Sequence, residues 1–268
     1  MLIENRRRTL VTQRMLGHGP REIHAKGRGL CVVGFHGFTG TAAELRPILE
    51  AAASAGFAVD GGLLPGHGTL ATDLQPKTFD DWVASARDRV RAAVAAYERV
   101  VLVGFSLGTL VAMQVASEAV EGVVGLVVLG TAITLGAGSR WPLGLWARAG
   151  LPMPDLYLVK PRPGDMDDTR HADDLVTYDR HPLRAALEVY RAGPRVRRVA
   201  GAIRCPALIL HGRHDIVCPV SNAGWLAANL GTRDAGLRIF ERSAHVLALD
   251  GERDEVAGEV LHFLAQRR

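Results

Sequence analysis

The sequence predicts an α/β fold, a mostly parallel β-sheet with helices on both faces and one inserted lid, and three observations carry that expectation. Residues 30–35, 100–103 and 123–129 are near-continuous apolar runs, as strands covered on both faces must be. Between them, residues 42–55 and 82–97 carry a helix-start signal or apolar positions on one helical face. After residue 131 the rhythm breaks, and it resumes only near residue 191, a stretch too long for a structureless loop in a compact domain. Alternation of strand and helix is the signature of a parallel sheet.

The elements follow in order. Residues 21–26 alternate enough for an early strand, and residues 30–35 run into His36-Gly37-Phe38-Thr39-Gly40. Thr41 with Glu44 three positions on reads as a capping box opening a helix over 42–55. A strand over 57–64 then ends at Pro65-Gly66-His67-Gly68. Thr78 and Asp81 repeat the cap signal, and apolar residues at 83, 86, 90, 94 and 97 line one face of the next helix. Strand 100–103, a helix over 107–117 and strand 123–129 follow. Beyond the insert come a helix over 182–199, a strand over 207–211 with the turn Gly212-Arg213-His214-Asp215, a helix over 219–230, a strand over 237–240 and a last helix over 252–266.

A chain of 268 residues, 48% hydrophobic and 22% charged, can bury a large core as one domain without disulfides or metals. The expected organisation is one domain over 1–268 with the lid at about 131–191. The net charge of +4 comes mostly from arginines spread along the chain, so nucleic acid is not an expected partner. Arg6-Arg7-Arg8 lacks the apolar core that an export signal needs downstream, which reads as a cytoplasmic protein. The apolar run over 122–138 is interrupted by glycines and threonines, so no integral membrane segment is expected. Cys31, Cys205 and Cys218 are odd in number without metal-ligand spacing and read as packing residues.

The chemistry centres on Gly104-Phe105-Ser106-Leu107-Gly108, at the join of a strand and a helix. A turn that sharp leaves no room for side chains two residues either side of the serine, and it holds the hydroxyl outward. A serine hydroxyl needs a histidine to take its proton, and that histidine needs an acid to fix its tautomer. Among ten histidines, His245 is best placed, just past a strand and ahead of the last helix. His262 falls inside that helix, and His171 and His181 fall in or near the insert. Asp215 follows the preceding strand in the same way, giving the order Ser106, Asp215, His245. Asp250 competes for the acid's role but reads better as the cap of the last helix. His211, His214 and Asp215 form a cluster that could be a metal site, but no further ligand set accompanies it. His36 and His67 read as loop-shaping residues.

His36-Gly37-Phe38-Thr39-Gly40, Pro65-Gly66-His67-Gly68, Thr78-Phe79-Asp80-Asp81-Trp82, the elbow, Cys205-Pro206-Ala207 with the Asp215 turn, and Ala244-His245 together resemble the bacterial carboxylesterases and monoacylglycerol lipases of the α/β-hydrolase fold. The resemblance runs from about Leu30 to Phe263 and is weakest in the lid. It implies an eight-stranded, mostly parallel sheet, a small cap over the active site, and Ser106, Asp215 and His245 as catalytic triad. It also implies an oxyanion hole made by the backbone N–H groups of Phe38 and Leu107, one on a loop beside a strand end and one at a helix start. Thr109 stands where these enzymes usually carry a third glycine, which would crowd the elbow slightly.

The function so implied is hydrolysis of a carboxylic ester through an acyl-enzyme, with no cofactor or metal and a small ester with an apolar acyl group as partner. Trp141, Leu145, Trp146 and Leu151 of the lid would line an acyl pocket, and Asp174 would accept hydrogen bonds from a glycerol-like alcohol. Activity should then fall below about pH 6.5, the ordinary histidine value. The same residues fit an acyltransferase, thioesterase, carbon–carbon hydrolase or perhydrolase, and a non-catalytic small-molecule binder of this fold is the remaining alternative. Oligomeric state is not legible.

Overall fold

An apolar run with no polar face can only be satisfied by burial on both sides, and the computed structural model shows the runs assembled in this way. It describes residues 3–5, 15–161 and 164–268. In chain order the elements are β1 (Ile3–Asn5), β2 (Met15–Leu16), β3 (Ile23–Ala25), β4 (Leu30–Phe35), α1 (Arg46–Ser54), β5 (Ala58–Gly61), α2 (Ala71–Leu74), α3 (Phe79–Tyr97), β6 (Arg99–Phe105), α4 (Leu107–Ala116) and β7 (Val123–Leu129). Then come α5 (Ala137–Ala149), β8 (Leu156–Val159), β9 (Thr177–Tyr178), β10 (Arg180–Pro182), α6 (Leu183–Val199), β11 (Ala207–Gly212), α7 (Ser221–Asn229), β12 (Ala235–Phe240) and α8 (Arg253–Ala265).

The main sheet has the order β12-β11-β7-β6-β4-β5-β3. All neighbours are parallel except β3, which runs antiparallel to β5 at the edge. Seven strands, not the expected eight, form this sheet among the described residues. The reason lies in the amino-terminal segment: β1 pairs with β8 and β2 with β9, so these strands are spent against the insert instead of extending the sheet.

Side chains alternate between the two faces with the strand period of two. Val33, Phe35, Val100 and Leu102 pack on one side with Trp82, Val83 and Val90 of α3 and Leu110 and Val111 of α4. Leu30, Val32, Val101 and Val103 pack on the other with Ile48 and Leu49 of α1 and Val256 and Val260 of α8. The α3 start is as read: Asp81 N–H donates to Thr78 Oγ1 at 3.2 Å, and Thr78 N–H donates to the Asp81 carboxylate at 2.9 Å.

The first predicted helix is divided. Residues Ala42–Leu45 form a 3-10 turn capped by Thr41, and α1 follows. Glu44 does not close a capping box; its carboxylate turns under the loop after β4 instead.

Between β7 and β11 the chain leaves the main sheet. There β8 is the centre of a three-stranded antiparallel sheet with β1 and β10, and β9 pairs with β2. Regularity resumes at α6, one helix whose Ala185, Val189, Ala192 and Val196 are buried. The three cysteines are unpaired. No helix among the described residues is long and apolar enough to cross a membrane.

Candidate active site

The carboxyl ends of β4, β6, β11 and β12 deliver the candidate residues to one place, as expected for an open parallel sheet. Ser106 joins β6 to α4 with φ 52° and ψ −115°, a backbone conformation that a non-glycine residue adopts only when its surroundings enforce it. The flanking glycines show the enforcement. A Cβ on Gly104 would lie 2.4 Å from the Gly108 carbonyl oxygen, and one on Gly108 would lie 1.9 Å from that of Phe35. Gly108→Ala must therefore push α4 off β4. It is expected to cost about 3 kcal/mol or more, a fall in Tm of about 10 °C for a chain of this size, read from a thermal melt.

Thr109 does not crowd the elbow. Its hydroxyl donates to the Ser106 carbonyl at 2.6 Å and accepts from Ala132 N–H at 3.3 Å, tying the turn to the strand end beside it.

Ser106 Oγ lies 3.0 Å from His245 Nε2, and His245 Nδ1 lies 2.8 Å from Asp215 Oδ2. The other Asp215 oxygen accepts the N–H groups of Val217 at 2.9 Å and Cys218 at 2.7 Å. His211 Nε2 adds a contact to Oδ2 at 3.1 Å. Burial alone would raise the Asp215 carboxyl, but the facing His245 and hydrogen bonds from His211 and His245 outweigh it and hold the group well below its ordinary value. An ionised Asp215 can only accept, so Nδ1 of His245 carries its proton and Nε2 is left as an acceptor for the serine hydroxyl. His245 itself is shifted upward: burial opposes its charge, but Asp215, Asp165 and Glu44 together prevail.

Beside the serine, Leu107 opens α4, so its N–H has no partner within the helix. Phe38 lies on the turn after β4, between two glycines that are held. Gly37 N–H donates to Glu44 at 2.6 Å, and Gly40 N–H donates to the Gly37 carbonyl at 3.2 Å. Glu44 is buried, and that burial pushes its carboxyl up to about 7 against the opposing pull of Gly37, Lys160 and His245. The Phe38 ring stacks on His181 of β10, with centroids 5.7 Å apart and planes 8° from parallel. Burial drives His181 down to about 3, with Lys160 adding to the effect, so it meets Phe38 as a neutral ring.

His36 and His67 bond locally. His36 Nδ1 donates to the Gly37 carbonyl at 2.9 Å, and its Nε2 accepts Leu64 N–H at 3.0 Å. His67 Nδ1 sits 3.3 Å from the Leu64 carbonyl.

Asp250 is not the cap of α8. Its two oxygens accept four backbone N–H groups, from Asp167, Asp168, Ala244 and Gly251 at 2.7–2.9 Å. It thus ties the loop carrying His245 to the insert. The cluster His211, His214 and Asp215 does not converge on one point: His214 turns to the carboxylate of Asp167, while His211 faces Asp215 and the Cys218 carbonyl. The Cys218 sulfur does come within 4.8 Å of ligand atoms of Asp215 and His245. Burial, with Asp215 and Asp165 nearby, raises that thiol well above its ordinary value, which suits packing and not thiolate ligation.

The insert residues named from sequence are dispersed. Trp141, Leu145 and Leu151 are exposed, and Trp146 is half-buried with its indole N–H on the Leu151 carbonyl at 3.1 Å. Asp174 pairs with Arg46 at 2.7 Å and lies 3.5 Å from His171. A cleft of about 500 Å³ takes in Leu151, Met153, Gln75 and Arg184, but none of Ser106, Asp215 and His245. Sequence reasoning missed Glu44, Lys160, Asp165 and His181, which surround the Phe38 loop or His245. Glu44 was legible only as a capping-box residue; room for its carboxylate under the loop comes from Gly37 and Gly40, where an added Cβ would meet it at 3.0 and 2.3 Å.

A serine on a strained elbow, with a histidine and an acid from later strand ends of a sheet in this order, defines the α/β-hydrolase class. Residues 27–252 match the serine aminopeptidase S33 family, and the chain belongs to it. It is 27% identical over 249 residues to a thermostable monoacylglycerol lipase of Bacillus sp. (strain H-257), covering 92% of this chain and 95% of that protein. It is 23% identical over 246 residues to a carboxylesterase of Bacillus subtilis (strain 168), covering 91% and 96%. Among solved structures, one from the metagenome-derived lipolytic enzymes LipS and LipT superposes with a TM-score of 0.84 at 24% identity, covering 94% of this chain and 99% of that one. The monoacylglycerol lipase of Paleococcus ferrophilus superposes with a TM-score of 0.77 at 20% identity, covering 92% and 98%.

Proposed function

We propose that the protein is a carboxylic ester hydrolase working through an acyl-enzyme on Ser106. The observation that carries this reading is the hydrogen-bonded chain Ser106–His245–Asp215, at 3.0 and 2.8 Å, and ester hydrolysis by the named relatives supports it. Ser106 Oγ attacks the ester carbonyl carbon as its proton passes to His245 Nε2. The oxyanion is held by the N–H groups of Phe38 and Leu107. His245 then gives its proton to the leaving alcohol, activates a water, and the acid is released from Ser106. Side chains and backbone groups supply every step, and no cofactor is called on.

The insert over about 131–191 is the lid in this proposal. Trp141, Leu145, Trp146 and Leu151 give it an apolar surface for the acyl group, and Asp174 with Arg46 offers a polar partner for the alcohol part. Three unpaired thiols support a reducing compartment, and we include a cytoplasmic location.

The test is turnover of p-nitrophenyl esters from acetate to palmitate, with stoichiometric labelling by a fluorophosphonate and product analysis with an added alcohol. Release of free acid with one label per chain supports the reading. A folded protein that neither turns over nor labels overturns it.

The pH profile is a second check. His245 acts as a base only when neutral, and its value lies above the ordinary 6.5. The rate, kcat/KM, is therefore expected to be lost as pH falls through a value higher than 6.5, so the acid limb sits above that of an unperturbed histidine. A rate that stays flat down to about pH 4 would contradict the role of His245.

A further inference from the structure

Two ionisable groups beside the site, the buried Glu44 and the half-buried Lys160, have no part in the mechanism above, and no ion pair within 4.0 Å joins them among the described residues. Each is instead bonded to the loop that carries Phe38. Glu44 accepts Gly37 N–H at 2.6 Å. Lys160, just past β8 in the insert, donates through Nζ to Thr39 Oγ1 and to Thr177 Oγ1, both at 2.6 Å.

The proton accounting shows why a lysine is needed there. Thr39 O–H donates to the Phe38 carbonyl at 2.5 Å, and Thr177 O–H donates to the Thr39 carbonyl at 3.0 Å. With both hydroxyl protons on backbone carbonyls, the two hydroxyl oxygens, 3.2 Å apart, are left as acceptors, although either could instead donate to the other. A group with donors and no acceptor keeps both protons on the backbone, and an ammonium is such a group. Its three donors can radiate from one point, whereas a guanidinium is a planar fork. Lys160 is one of three lysines in a chain whose 32 Lys and Arg residues are otherwise arginine.

The peptide planes show what the arrangement holds. Phe38 N–H belongs to the plane between residues 37 and 38. The plane before it is pinned by Gly37 N–H on Glu44 and the plane after it by the Phe38 carbonyl on Thr39. Thr39 itself has φ 69°, a left-handed conformation that is a rare outlier for a β-branched residue and needs outside support. That support comes from the insert: Thr177 O–H and Tyr178 N–H, at 2.9 Å, both donate to the Thr39 carbonyl.

We propose that Lys160 is a positioning residue, which with Thr177 clamps the oxyanion loop from the insert side while Glu44 clamps it from the sheet side, so that Phe38 N–H is aimed at the reacting centre. The proposal rests on the ester-hydrolase reading. It gives the insert a part in the chemistry beyond covering the substrate. Without Lys160 one threonine hydroxyl must rotate to donate to the other and release a backbone carbonyl, which loosens the plane next to Phe38.

The experiment measures kcat and KM for a short p-nitrophenyl ester, per active site titrated with fluorophosphonate, in Lys160→Met, Thr177→Val, Thr39→Val and Thr39→Ser. Loss of a whole oxyanion donor costs about 10²–10³ in rate. Misaiming one is expected to lower kcat and kcat/KM together by about tenfold or more in Lys160→Met, with KM within about twofold. Thr177→Val should fall in the same direction. Thr39→Val, which removes the hydroxyl without changing shape, should lose activity, and Thr39→Ser should restore it. Less than a tenfold loss of kcat per titrated site in Lys160→Met, a loss confined to KM, or a Thr39→Ser as poor as Thr39→Val would overturn the clamp. If Lys160→Met does not fold, the Thr39 pair decides alone. A wild type that is neither labelled nor active refutes the underlying esterase reading, whereas a labelled, active wild type with unaffected variants refutes the clamp only.

Discussion

Ser106→Ala is expected to lower kcat for a p-nitrophenyl ester by about 10⁶, the loss seen when the nucleophile of a serine hydrolase is removed, with Tm changed by only a few degrees. The two halves of that expectation come from different features of the site. Among the described residues no other hydroxyl is bonded to His245 Nε2, so no group stands ready to replace the proposed nucleophile. The backbone at 106 keeps its strained turn because Gly104, Gly108 and Thr109 build it, not the serine side chain. Ser106 is half-buried, and loss of its hydroxyl leaves His245 still bonded to Asp215. Steady-state hydrolysis and a thermal melt on the same preparation check both halves. Retention of more than about 1% of kcat would mean that another group attacks the ester.

What was legible in the sequence is what short-range chemistry decides. The elbow, the apolar strands β4, β6 and β7, and the start of α3 all depend on residues within a few positions of one another. Long-range competition produced the errors. Thr41–Glu44 and Thr78–Asp81 have the same capping pattern, yet only the second forms a box. In the first, Gly37 N–H reaches the carboxylate at 2.6 Å because the chain doubles back after β4, and no local pattern announces that reversal. Asp250 was misread in the same way, since two of its four donors come from the insert some 82–83 positions away. Among the described residues the main sheet has seven strands and not eight, and β1 and β2 pair with β8 and β9 of the insert. Lys160 could not have been singled out because its two acceptors lie 121 and 17 positions off.

Asp215→Asn is expected to lower kcat by about 10⁴, the size of effect that follows when a triad histidine is forced into the wrong tautomer. The direction follows from the hydrogen bonds around the carboxylate. Oδ1 receives two backbone donors, Val217 N–H and Cys218 N–H, so the amide oxygen must take that place. The amide NH₂ then faces His245 Nδ1 and His211 Nε2. Facing a donor, Nδ1 must become an acceptor, and the His245 proton moves to Nε2, where it points at Ser106 and cannot accept the hydroxyl proton. His211 keeps its Nε2 proton on the Cys218 carbonyl at 2.9 Å and meets the new amide NH₂ donor to donor, so its contact with the carboxylate is lost. Loss of that buried charge-assisted contact should lower Tm as well, unlike in Ser106→Ala. Asp250→Asn provides the contrast, because all four bonds of Asp250 go to backbone N–H groups and none to His245. It should cost stability while kcat per fluorophosphonate-titrated site stays within about tenfold of wild type. If Asp250→Asn carried the 10⁴-fold loss and Asp215→Asn did not, the acid of the triad would be Asp250.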